Sequence, residues 1–355
     1  MRKILCLIDS LGAGGAERQM SYLAILLKKA GHDVKLVAFT AKNKFYENFL
    51  IENGVTPDYN VKGVNKWRRI WEIAMLVKSY SPDLVIAYKD GVCISAILAK
   101  VLGNYNLAVS ERTTTYRLTR FDKAKFFLYR FAQWIVPNSS SQAIFIKKHY
   151  PNLSSKIRII RNTLDTSLFA PGMHSNEIPV VITTATIYKA KNTKALVRAA
   201  KILKDRGVRC IFRWYGKRFD NDTYPSEVET LISKNGLGET FQLLPAANDV
   251  NLLYKTADIF CLPSIVEGFP NVICEAMSSG LPVVCSNVCD NPYIVENDVN
   301  GYLFNPDNPT EIADKLQQMI EMSESQRLQM GAENRKKIIK LCAPDNFINS
   351  YLSLI

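Results

Sequence analysis

Two glutamates, Glu267 and Glu275, stand with seven residues between them in the stretch LPSIVEGFPNVICEAMSSGLPVVCS, residues 262–286. The first falls in a strand-to-helix loop and the second on the helix that follows. Gly268 permits a tight turn, and Pro270 suits the first helical turn, where its missing N–H would be unpaired anyway. The N–H groups of Phe269, Asn271 and Val272 then converge at the positive end of the helix, an arrangement that binds anions. A carboxylate on each side of an anion site fits a nucleotide diphospho-sugar. Diphosphate oxygens would meet the helix end, and each carboxylate would accept hydrogen bonds from vicinal hydroxyls, one set on the sugar and one on the ribose.

Two further segments carry chemistry of the same kind. In SLGAGGAERQM (10–20), Gly12, Gly14 and Gly15 remove side chains where a backbone must approach a phosphate. A nicotinamide-binding turn would need a third glycine at 17, where Glu17 stands, and an acidic residue after VKLVAFT, which has none. TATIYKAKNTKAL (184–196) places Lys191 in a loop before a helix.

These segments need a scaffold that brings strand ends together, and the chain has its rhythm. Short apolar runs alternate with helical patterns: KILCLI and 15–29, VKLVAF and 43–51, DLVIAY and 91–102, LAVS and 120–132, WIVPN and 140–149, then RIIRN. The stretch LFAPGMHSNEIP (168–179), with its prolines and glycine, reads as a linker. Alternation resumes with VVITTAT and 193–206, CIFRWYG and 225–235, TFQLLP and 249–255, DIFCLP and 271–279, PVVCS and GYLF, and closes on helices over 309–322 and 324–341. The pattern predicts an α/β fold of two Rossmann-like, doubly wound domains, 1–167 and 180–342, with a closing helix in 343–355 that could return to the first. Two such domains facing across a cleft put the natural ligand site between them, at the carboxyl ends of strands.

The 262–286 stretch resembles the signature of glycosyltransferase family 4, retaining enzymes of GT-B fold, and the similarity runs over most of the chain. The resemblance implies that Glu267 lies near the donor sugar, that Glu275 binds the ribose, and that the Gly14–Gly15 turn faces the donor phosphates. It places Lys191 where a lysine neutralises the leaving diphosphate, while Thr186 stands where an arginine is usual. Lys189, or Arg213, Lys217 and Arg218 around Gly216, could supply the missing charge, and Gly216 joins the donor-binding set. NTLD (162–165), TADIFCLPS and NGYLF resemble further family segments. The family's histidine in the first domain is absent: LAVSERTTTY offers Glu111 and Arg112 to the acceptor side, and Tyr293 stands where a glutamate is frequent.

The activity so implied is retaining transfer of a hexosyl or N-acetylhexosaminyl group from a UDP-linked sugar to a saccharide or polyprenol-linked saccharide, in surface polysaccharide or glycoconjugate assembly. No cofactor or metal is expected, since Lys191 and helix dipoles would replace the ion. Asp220-Asn221-Asp222 spells a metal-binding D-x-D but reads as a solvated loop. The alternative class is a glycosyltransferase-like subunit that binds or scaffolds without turnover.

Composition sets the remaining bounds. With 47% hydrophobic and 22% charged residues among 355, the chain is globular and neither disordered nor fibrous. Residues 1–165 hold 26 Lys+Arg against 12 Asp+Glu, whereas the rest hold 19 against 21, so the net charge of +12 belongs to the first half. Such a field draws anionic membrane to that half, and no nucleic acid is expected as a partner. The eight cysteines include no C-x-x-C pair and three histidines are scattered, which fits buried thiols and leaves no zinc cluster. The apolar start ends at Asp9, too soon for a signal peptide, and no window reaches the roughly 18 to 20 apolar residues of a spanning helix. The expectation is a cytoplasmic protein, peripheral on the inner face of the cytoplasmic membrane. Within 111–134, Phe121, Ala124, Leu128, Phe131 and Ile135 predict a core-facing stripe. Arg120, Lys123, Phe127, Arg130 and Trp134 form a second stripe of cations and aromatics suited to an anionic bilayer.

Overall fold

The computed structural model describes every residue except 62–64, 116, 173–175 and 220, and of Lys66 the backbone alone. The chain divides into two compact units, Met1–Thr163 with Pro344–Ile355, and Leu164–Ala343. The first unit contains β1 (Lys3–Ile8), α1 (Gly15–Lys29), β2 (Asp33–Ala38), α2 (Glu47–Glu52), α3 (Lys66–Tyr80), β3 (Leu84–Tyr88) and α4 (Asp90–Ala99). It continues with β4 (Leu107–Glu111), α5 (Arg120–Tyr129), β5 (Trp134–Pro137) and α6 (Ser140–His149).

Its five strands form a parallel sheet in the order β2-β1-β3-β4-β5. Strands such as KILCLI are apolar and buried at every position after the exposed Lys3, because both faces are covered. Leu5 and Leu7 enter the core under α3, α4, α5 and α6, while Ile4, Cys6 and Ile8 enter the core under α1.

The sheet differs from expectation in ways that matter below. Helix α3 was not anticipated, and the helix expected over 43–51 is the short α2. RIIRN forms no strand. It runs beside β5 through the Ile157 bridge and two backbone hydrogen bonds, Arg158 N–H to Ile135 O at 3.0 Å and Ile160 N–H to Pro137 O at 3.1 Å. Helix α5 stops at Tyr129 because the chain must enter β5, whose Trp134 already pairs with Ala108 of β4. Its buried face is Lys125, Phe126 and Tyr129, while Phe121 and Phe131, expected in the core, are more than half exposed.

The second unit runs β6 (Val180–Thr184), α7 (Thr193–Asp205), β7 (Ile211–Tyr215), α8 (Tyr224–Lys234), β8 (Phe241–Leu244), α9 (Val250–Tyr254), β9 (Ile259–Leu262) and α10 (Asn271–Ser278). Then come β10 (Val283–Ser286), α11 (Asn291–Ile294), β11 (Gly301–Phe304), α12 (Pro309–Glu321) and α13 (Glu324–Leu341). Its six-stranded parallel sheet has the order β11-β10-β9-β6-β7-β8. The boundary lies at Thr163/Leu164, ahead of the expected linker. Part of that linker is core instead: Phe169 is buried in the second unit, and its carbonyl accepts from Ser278 Oγ at 2.8 Å and Arg335 at 2.9 Å. Helix α14 (Pro344–Leu352) belongs to the first unit, where it packs on α1 and Tyr351 shares a 2.7 Å hydroxyl contact with Tyr88.

Candidate active site

Each sheet has one place where the chain leaves a strand on one side and later returns on the other. In open α/β sheets ligands sit beyond the carboxyl ends of the two strands that flank this point. In the second unit those strands are β6 and β9.

Lys191 lies in a 3-10 turn, Lys189–Lys191, just after β6, and Asn192 takes a left-handed φ of 58° to start α7. The Ile265 N–H donates to Ala190 O at 2.8 Å and ties this turn to the loop after β9. Lys191 Nζ thereby reaches Glu267 Oε1 and forms an ion pair whose side chains are 17% and 10% exposed. The Glu267 N–H in turn donates to Cys289 Sγ at 3.4 Å. At this point the site holds one partly shielded cation and one carboxylate, both reachable from solvent.

Glu275, one turn into α10, is 3% exposed and accepts a hydrogen bond from Tyr254 Oη at 3.1 Å. The same Tyr254 oxygen lies 2.6 Å from Thr184 Oγ1 at the end of β6. A phenol has one proton, so when Tyr254 donates to Glu275 the Thr184 hydroxyl donates to Tyr254. The chain Thr184–Tyr254–Glu275 therefore fixes the carboxylate by one edge. Ser264, just after β9, is fully buried, and its Oγ has no hydrogen-bond partner among the described residues.

The other expected donor residues fall around this point with some changes of role. Pro270 is the N-cap of α10 and not its first helical residue, and its carbonyl accepts from Ile273 and Cys274 N–H at 3.1 and 3.3 Å. Gly268 lies in the loop before it, and Asn271 and Val272 open the helix. The Phe269 side chain is core, so only its backbone can face a ligand. Gly216 is needed for packing: a Cβ there would sit 2.0 Å from Ala185 O, where the ends of β6 and β7 meet. Of the cations near Thr186, Arg218 is engaged by Glu229 at 2.6 Å. Lys217 adjoins the Thr186 loop, its carbonyl accepting from Ile187 N–H at 2.9 Å. Asp220 of the D-x-D lies outside the described residues, among which no group of three His, Cys, Asp or Glu could hold a metal ion.

In the first unit the corresponding point lies between β1 and β3. Gly14 is the N-cap of α1 and Gly15 its first residue. A Cβ on Gly14 would meet Glu17 Oε2 at 2.2 Å, because that carboxylate folds back over the turn. Lys89 holds it there, with Nζ 2.6 Å from Glu17 and 2.9 Å from Asp9. Lys89 has φ 74° and ψ 144°, a conformation that side-chain-bearing residues rarely adopt and that clusters at functional sites. Asp9 and Lys89 were missed in the sequence. The available signal was position, since each directly follows a strand at the switch point.

Glu111 and Arg112 need correction. Glu111 is 1% exposed, and its carboxylate takes Lys125 Nζ at 3.0 Å, Tyr129 Oη at 2.5 Å and Gln142 Nε2 at 3.1 Å. Held by those donors and closed off from solvent, Glu111 anchors α5 and α6 to β4. Burial presses the Lys125 ammonium down, but the carboxylates of Glu111 and Asp90 outweigh burial and keep its pKa above the usual lysine value. Arg112 is half-buried, stacked 4.2 Å over the Tyr88 ring and donating to Asn162 Oδ1 at 2.9 Å. The stripe proposed for a bilayer also changes. Arg120, Lys123, Phe127 and Arg130 are exposed, with the Arg130 guanidinium 3.8 Å over the Phe127 ring. Trp134 is a strand residue whose Nε1 donates to Leu354 O at 2.8 Å and whose ring lies under Arg158, so it leaves that face.

Residues 168–337 match the family model described as Glycosyl transferases group 1, and residues 13–168 the model described as Glycosyltransferase Family 4. An uncharacterized glycosyltransferase of Haemophilus influenzae is 24% identical over 96% of this chain and 98% of its own length. The Campylobacter jejuni enzyme named GalNAc-alpha-(1->4)-GalNAc-alpha-(1->3)-diNAcBac-PP-undecaprenol alpha-1,4-N-acetyl-D-galactosaminyltransferase is 24% identical over 90% of this chain and 89% of its own. Among solved structures, Anabaena HepE in complex with UDP-glucose superposes with a TM-score of 0.85 at 19% identity, covering 100% of both chains.

Proposed function

Because the chain belongs to glycosyltransferase family 4, with two Rossmann-like units of the GT-B type, we propose that it moves a hexosyl or N-acetylhexosaminyl group from a UDP-sugar to a polyprenol-linked saccharide, retaining the anomeric configuration without a metal. The observation that carries this reading is the Lys191–Glu267 pair at the β6/β9 switch point with Glu275 fixed beside it. The UDP-glucose complex of the structural neighbour supports UDP, and the undecaprenol-linked substrate of the Campylobacter relative supports a lipid-linked acceptor.

In this reading the second unit holds the donor. Glu275 accepts from the ribose hydroxyls, and Glu267 stands by the sugar. Lys191 stabilises the diphosphate as the glycosidic bond breaks, assisted by the N-terminal dipole of α10. The acceptor hydroxyl attacks from the side the diphosphate leaves, and a departing phosphate oxygen takes its proton. The protein then contributes position and charge, with no side chain required as general base. Asp9 and Lys89 of the first unit are the polar groups offered to acceptor hydroxyls. A panel of UDP-sugars with polyprenol-diphosphate saccharides, analysed by mass spectrometry, tests the reading. Transfer from at least one is expected, whereas tight nucleotide binding with no transfer from any would make the chain a scaffold subunit.

Two narrower results are expected. Replacing Glu275 by alanine should weaken UDP binding by about 1.5 to 3 kcal/mol, the usual worth of hydrogen bonds to a charged group. Tyr254→Phe, which removes one donor to the carboxylate, should give a smaller loss in the same calorimetric titration, and unchanged affinity in both variants would remove Glu275 from the ribose. Transfer should also persist in excess chelator, because Lys191 supplies the charge a divalent ion would bring. Loss of activity that returns with Mn²⁺ or Mg²⁺ would overturn that role.

A further inference from the structure

The outer surface of the first unit carries more apolar area than any core requires. Helices α3, α4 and α5 lie side by side on one face of the sheet, α3 against α4 and α4 against α5. Ile70, Ile73, Ala74 and Val77 of α3 point inward. A second stripe at helical spacing is Trp67, Trp71 and Met75, and the two tryptophans are 77% and 56% exposed. Past the end of α4, Val101 and Leu102 are 84% and 56% exposed, and on and after α5 the rings of Phe121, Phe127 and Phe131 are each more than half exposed. Single exposed apolar side chains are ordinary, but a whole helical layer presenting two tryptophans and three phenylalanines is not.

The charge of the same layer selects its partner. Lys78, Arg120, Lys123 and Arg130 are exposed and have no carboxylate in ion-pair range among the described residues. The acidic side chains of the layer are already engaged: Glu72 by Arg68 at 3.0 Å, and Asp90 and Asp122 by Lys125 at 3.3 and 3.7 Å. A second copy of this surface would bring like charges together, whereas an anionic lipid surface answers the cations and receives the rings. Tryptophan and phenylalanine flanked by lysine and arginine is the composition that lies in a bilayer interface.

The geometry points to this layer, α3 with the α4 end and α5, as a docking face for anionic membrane, with Trp67 and Trp71 as its apolar anchor. The docking goes beyond sugar transfer and is measured apart from it. The cations draw the protein down, each contributing near an anionic surface, and the rings hold it once salt has screened them.

The test is co-sedimentation of the full chain with vesicles of phosphatidylcholine alone or mixed with phosphatidylglycerol, at low and high salt. The parent should bind the mixed vesicles and retain part of that binding at high salt. Trp67→Ser/Trp71→Ser should lose binding by at least about 10-fold and abolish the salt-resistant part, since the anchor supplies it. Arg120→Glu/Lys123→Glu/Arg130→Glu should lose the anionic preference. All three positions and both tryptophans are exposed, so circular dichroism and UDP affinity should match the parent. Equal binding to both vesicle types, no binding, or an unaffected tryptophan variant would overturn the assignment. So would a parent dimer that the tryptophan variant dissociates while vesicles are ignored, which would make the face a self-association surface.

Discussion

Lys191→Ala is expected to lower kcat by two to three orders of magnitude, the usual effect of removing one preorganised donor from a site of developing negative charge. In the proposed reaction the charge that grows on the leaving diphosphate would be met by Lys191 Nζ, which the Ala190–Ile265 hydrogen bond and Glu267 hold in place. The substitution also leaves Glu267 without its cation, so a carboxylate would then face the diphosphate and UDP affinity should fall as well. Because the two residues act as a pair, Lys191→Ala/Glu267→Ala should be no worse than the poorer single variant, a non-additivity typical of groups in contact. Steady-state kinetics with saturating donor would show it. A kcat within about 2-fold of the parent would mean that Lys191 does not meet the leaving group.

Lys125→Met should destabilise the first unit by about 3 to 5 kcal/mol, since it strands the buried Glu111 carboxylate. That corresponds to a fall of roughly 6 to 20 °C in melting temperature for a unit of this size. Tyr129 and Gln142 would remain as neutral donors to Glu111, but neither supplies a charge. Replacing both partners, as Glu111→Gln/Lys125→Met, should recover most of the loss, because an absent pair is better tolerated than a broken one. Differential scanning calorimetry of the three variants separates this role from the one the sequence implied. If Glu111→Gln abolishes transfer while the melting temperature stays put, Glu111 belongs to the acceptor side after all.

The pattern of what was legible follows from which signals are local. Both sheets were readable because parallel strands buried on two faces read as continuous apolar runs, as in ILCLI of β1 and IFCL of β9. The candidate donor segment stood out because a turn glycine, a proline at the helix start and two carboxylates all fall within 25 residues. Partners distant in sequence were not. Tyr254 and Thr184 acquire their tie to Glu275 only when α9, β6 and α10 converge. Lys125 fell in neither stripe read from the sequence, because a buried lysine depends on Glu111 and Asp90 to keep its charge.

Periodicity failed in two places for opposite reasons. Helix α3 is apolar on both sides, with Ile70, Ile73 and Val77 inside and Trp67 and Trp71 outside, so no single face stood out. Trp134 kept helical spacing from Phe127 and Arg130 although the helix had ended five residues earlier at Tyr129. There the pairing of β5 with β4 overrode a spacing that the sequence continued by coincidence.

The reaction itself is tested most directly by incubating the full chain with a UDP-α-sugar and a polyprenol-diphosphate saccharide in excess chelator, and reading the anomeric configuration of the new linkage by proton NMR. An α-linked product is expected, formed without added metal and lost in Lys191→Ala. A β-linked product, or transfer undiminished by Lys191→Ala, would contradict the proposed reaction.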